Sequence, residues 1–151
     1  MQRSIINYQP IIPILLLFGL IVYESIASLY IFLTPLSGLI FLYLVTNIKD
    51  KEKIAINIVL FLYLTYVEFD RGLIVFSSLI FFLIYYEFIH RELINSIGCK
   101  NCLKVVIIII YYLGFYIVNV IICLIFDISL PVLDITYIIY IVTDIILVLV
   151  L

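Results

Sequence analysis

The chain has 151 residues, 68% hydrophobic and 12% charged, with a formal net charge of −2 and a mean hydropathy of +1.40. A soluble domain is typically about half apolar and about a quarter charged, so the composition excludes a separate soluble domain and points to one integral membrane domain over residues 1–151. The three cysteines make no disulfide framework, and no basic patch supports nucleic acid as a partner.

The first apolar run covers 11–33. Pro10 and Pro13 fall at its first turn, where proline is tolerated. Small residues at Ser25 and Ala27 resemble a cleavage site, but the run continues past them, so a retained span is expected rather than a signal peptide. Thr34-Pro35-Leu36-Ser37-Gly38 reads as a turn. Two short apolar runs follow, 36–48 and 54–67, separated by Lys49-Asp50-Lys51-Glu52-Lys53. A re-entrant loop with that charged tip in mid-membrane would cost about 2.5–3.5 kcal/mol per charge. The tip must reach water, so both short runs are expected to cross, by thinning the bilayer or sitting inside the bundle.

After Glu68, Asp70 and Arg71 comes a fourth run, 72–89, ending in His90-Arg91-Glu92. A polar loop, 93–101, leads to a closing hairpin of 103–126 and 132–151, joined through Asp127-Ile128-Ser129-Leu130-Pro131. Twenty residues at about 1.5 Å each are enough to cross a hydrocarbon core of about 30 Å. The expected fold is therefore all-α: a polytopic membrane helical bundle of six transmembrane helices. With the N-terminus in the cytoplasm, Arg3, Lys49, Lys51, Lys53, Arg91, Lys100 and Lys104 lie inside and only Arg71 outside. That split follows the positive-inside rule and makes the topology N-in/C-in.

Polar residues inside the runs are the candidate sites. In the fifth run Tyr112, Tyr116, Asn119 and Cys123 share one helical face. In the sixth, Asp134, Tyr137, Tyr140 and Asp144 do the same. Counting back from the turn puts Tyr112 level with Asp144, and Asn119 level with Tyr137 and Tyr140. Such stripes either hold a hairpin together by interhelical hydrogen bonds or line a ligand or proton path. Three acids lie within the runs: Glu24, Glu87 and Asp144. Glu87 stands four residues before Arg91 and is expected to pair with it. Glu24 and Asp144 have no cation on their own helices. Each is expected as a neutral acid that donates a hydrogen bond, for Asp144 to Tyr112 or Tyr140. An intramembrane acid is a functional-site candidate by default.

Cys99-Lys100-Asn101-Cys102 is a C-x-x-C, but His90 is the only histidine, and zinc takes four ligands. A redox pair needs a supporting fold, and the sequence displays none. No metal or other cofactor is expected. No P-loop, H-E-x-x-H or Ser–His set is present, so no enzyme is expected.

Six short spans in this length, Thr34-Pro35 opening a short second span, and Glu68-Phe69-Asp70-Arg71-Gly72 closing the third resemble the bacterial rod-shape-determining protein MreD family. The resemblance implies a non-enzymatic scaffold of the cell-wall elongation machinery in the bacterial cytoplasmic (inner) membrane. The implied partners, besides membrane lipids, are an MreC-like protein and the elongation penicillin-binding transpeptidase. The chain is more Ile- and Tyr-rich than that family. An alternative is a small transporter subunit of the vitamin-binding type, with a ligand site inside the bundle. Its Ala-x-x-x-Ala docking face is missing; Ser25-Ile26-Ala27-Ser28 stands there instead.

Overall fold

A computed structural model describes residues 11–30, 35–128 and 135–150. All regular structure among them is helical: α1 Ile11–Ala27, α2 Ser37–Asn47, α3 Ile54–Asp70, α4 Ser77–Ile84, α5 His90–Ser96, α6 Lys100–Phe126 and α7 Ile135–Val150. A π-helical turn, Tyr85–Ile89, joins α4 to α5, and a short 3-10 turn, Lys51–Lys53, precedes α3. Ile and Val, common throughout, are indifferent helix formers; packing of the helices holds them more than propensity does.

The centre of the bundle is α2 and α6. The first packs on α3, α6 and α7, the second on α2, α4 and α7, and α1 lies along α3. Their meeting place is an aromatic cluster. Phe41 stacks on Tyr111 at 4.6 Å between ring centroids and meets Tyr85 edge-on at 5.3 Å. Gly114 lets α4 come close to α6, because a Cβ there would run into the Phe81 ring. Small residues permit such approaches between helices.

Polar and charged side chains are buried beside this apolar core, while many large apolar ones lie on the outside. Glu24, Glu68, Asn119, Asp144, Ser77 and Ser78 are all at most 2% exposed. Ile12, Leu15 and Phe18 on α1, Ile117 and Leu124 on α6, and Ile138 and Ile146 on α7 are more than half exposed. Among the described residues, α6, with 27 residues, is the one helix that is both long and apolar enough to cross a membrane alone. The charged tip is exposed, with Lys53 and Asp50 paired at 3.2 Å.

Several boundaries differ from the sequence expectation. The third helix continues to Asp70 rather than stopping at 67, because Glu68 is buried against the start of the next helix. The fourth begins at Ser77, not 72; a turn with Phe76 in the left-handed region (φ 71) precedes it. Much of the expected loop 93–101 is helical, and α6 starts at Lys100 rather than 103, where Cys99 caps it. The first helix ends at Ala27, so the tail of the expected run at 31–33 lies outside the described residues, as do Arg3, Asp134 and most of the hairpin turn.

Candidate functional site in the polar core

The first turn of any helix leaves backbone N–H groups without intrahelical partners. For α2 the partner comes from α7. Oδ2 of the fully buried Asp144 accepts the Gly38 N–H at 3.0 Å and the Tyr112 hydroxyl at 2.8 Å. The Ser37 hydroxyl lies 3.4 Å from the Tyr112 oxygen. A carboxylate against a helix N-terminus is also favoured by the helix dipole. Gly38 is required sterically: a Cβ there would lie 2.5 Å from Asp144 Oδ2. Tyr137 completes the α6–α7 seam by donating to the Tyr112 carbonyl at 2.8 Å, its ring edge-on to Tyr112. Of the two expected partners the structure selects Tyr112, whose hydroxyl shares Asp144 Oδ2 with the Gly38 N–H.

Glu24 is a correction. It was expected to lack a cation, yet Arg71 donates to its Oε1 from Nη2 at 3.1 Å and from Nε at 3.3 Å. Tyr63 donates to the other oxygen at 2.9 Å. Arg71 also donates from Nη1 to Tyr140 at 2.8 Å. Tyr140 is therefore engaged with Arg71 rather than Asp144. The pairing becomes possible because α1 ends three residues after Glu24, which brings this carboxylate to the same end of the bundle as Arg71.

Two further residues change roles. Asn119, expected level with Tyr137 and Tyr140, donates instead to Ser77 Oγ at 3.1 Å and to the Phe115 carbonyl at 2.9 Å, while its oxygen receives the Ile74 N–H. It ties α6 to the entry of α4. Glu68, absent from the expected sites, caps α4. It accepts from Phe76 N–H at 2.7 Å, from the Ser77 hydroxyl at 2.8 Å and from Ser78 N–H. The signal was the pair Ser77-Ser78 inside the fourth run nine and ten residues after Glu68, but Glu68 read only as the acidic end of the third span. Glu87, by contrast, is exposed on the π turn, and among the described residues it forms no ion pair with Arg91. An exposed pair of that kind contributes little in any case.

Between these groups lies a cavity of about 350 Å³. Tyr111, Tyr112, Phe115, Tyr116, Tyr137 and Tyr140 supply its aromatic wall, and Glu68, Arg71, Asn119, Ser37 and Thr136 its polar edge. Tyr116 joins through its ring, 6.3 Å from that of Tyr137. The volume is at the lower end of small-molecule sites, about 300–1,000 Å³. Among the described residues no three His, Cys, Asp or Glu side chains gather as a metal site. No family model, no curated protein and no solved structure matches the chain.

Proposed function

We propose that the chain is a six-span, N-in/C-in protein of the bacterial cytoplasmic membrane that works as a non-enzymatic scaffold, in the manner of the MreD family it resembles. The observation that carries this reading is how the buried carboxylates are used. Glu24 holds Arg71, Glu68 caps α4 and Asp144 caps α2. Each is engaged by the protein's own donors, as braces between helices would be. The apolar outer faces of α1, α6 and α7 suit lipid and other membrane helices. In this reading the partners are an MreC-like protein and the elongation penicillin-binding transpeptidase. Depletion in the native cell is expected to alter cell shape or wall insertion, and reporter fusions after Lys53 and Lys100 to read cytoplasmic. An exterior signal at Lys53 would contradict the topology, and unaltered shape the scaffold role.

The cavity favours a second reading, a transporter subunit holding a small ligand within the bundle. Co-purification of a vitamin with the protein, or loss of uptake without a change in shape, would select it.

A further inference from the structure

The C-x-x-C at the start of α6 has a support that the sequence does not display. Cys99 is the N-cap of a 27-residue helix, and its sulfur accepts the Cys102 backbone N–H at 3.4 Å. The Cys102 thiol also points at it, sulfur against sulfur, and both residues are exposed. The third cysteine, Cys123, is buried. It lies 21 residues beyond Cys102 on the same helix, about 31 Å away at about 1.5 Å per residue. The two exposed thiols are thus an isolated pair, already in contact, at a helix N-terminus. In such surroundings a cysteine reacts as a thiolate.

We propose that Cys99 and Cys102 form a thiol–disulfide exchange site, with Cys99 as the attacking sulfur, Cys102 as the resolving one, and low-molecular-weight or protein disulfides as the co-reactant. The Cys99 thiolate attacks one sulfur of the disulfide. A mixed disulfide forms at Cys99 and the first thiolate leaves. Cys102 then loses its proton and attacks the Cys99 sulfur, closing the Cys99–Cys102 bond and expelling the second thiolate. Two cysteine thiols are oxidised and one external disulfide is reduced to two thiols, which take up the two protons. The direction of attack follows from the cap: the Cys102 backbone N–H donates to the Cys99 sulfur at the start of α6, where the helix N-terminus favours the thiolate on Cys99. An exchange site of this kind in a reducing compartment is regulatory or catalytic rather than structural, and its chemistry does not depend on the scaffold reading.

The test uses the full-length protein in detergent, equilibrated in buffers of reduced and oxidised glutathione, quenched by alkylation and read by intact mass. Wild type is expected to lose two hydrogens as one internal bond forms, with Cys123 still alkylatable after unfolding. Cys102→Ser should trap glutathione on Cys99. Cys99→Ser should abolish the internal bond and trap glutathione severalfold more slowly. In the Cys123→Ser background, Cys99 should be alkylated severalfold faster than Cys102 at neutral pH. Thiols that stay reduced at the oxidising end of the series would overturn the proposal. So would glutathione accumulating on both cysteines of wild type, or equal reactivity of the two. Serine at either exposed position leaves the core untouched, and the two rates in the Cys123→Ser background are compared within one protein.

Discussion

Glu24 and Asp144 are both fully buried acids in apolar helices, yet the bundle accommodates them in opposite ways. Glu24 faces a cation: the Arg71 guanidinium reaches it with two donors while holding Tyr140 with a third. Asp144 faces no cation among the described residues. Its partners are a backbone N–H at the beginning of α2 and one phenol. The first is an ion pair, in which removal of either charge strands the other. The second is a helix cap made across 106 residues of sequence, in which the acceptor oxygen matters more than the charge. A buried acid in such a chain therefore indicates a brace, and its partner decides which substitutions it tolerates.

The contrast can be broken at several points. The largest effect is expected for Arg71→Met, which leaves Glu24 buried without its cation. Removing one member of a buried pair costs about 3–5 kcal/mol, and the lower end applies because the Arg71 side chain is 23% exposed. Denaturant unfolding in micelles should report the loss, and a second change, Glu24→Leu, should recover part of it. Next comes Gly38→Ala, whose methyl would press on Asp144 Oδ2 and the Tyr112 ring. Overpacking of this kind costs about 1–3 kcal/mol, and protease accessibility of α7 should rise with it. Asp144→Leu removes the cap without adding bulk at α2, and about 1 kcal/mol is expected. Tyr140→Phe removes one hydrogen bond to Arg71 but keeps the ring, whose centroid lies 4.9 Å from the guanidinium carbon. A shift of about 0.5 kcal/mol or less should appear in the same unfolding curves.

Much of this core was legible in the sequence, though only one of its partnerships was. Asp144 stood out as a lone acid in an apolar run, and counting back from the hairpin turn matched it to Tyr112. That count works because α6 and α7 are antiparallel neighbours. It fails for Asn119, which turns away from α7 toward Ser77, since nothing in a hairpin register tells which third helix packs behind it. Glu24 was visible but misplaced in depth. Reading the first run to 33 put it in mid-span, away from Arg71, whereas α1 stops at Ala27. Glu68 was hidden by the opposite error, a third run cut at 67 although the helix continues to Asp70. The shortness of the second run was read directly: α2 covers Ser37–Asn47, and the Gly38 N–H of its first turn meets Asp144 inside the bundle.

Thermal unfolding of Asp144→Asn beside Glu24→Gln, each as the full-length protein in the same detergent, is the most direct test of this division. Asparagine keeps an oxygen to receive the Gly38 and Tyr112 bonds, so Asp144→Asn should unfold close to wild type. Glutamine keeps the shape of Glu24 but leaves the Arg71 charge without its counter-charge, so Glu24→Gln should unfold clearly earlier. A loss for Asp144→Asn equal to or greater than that for Glu24→Gln would contradict the account, because Asp144 would then be acting through its charge or its proton and not as a cap.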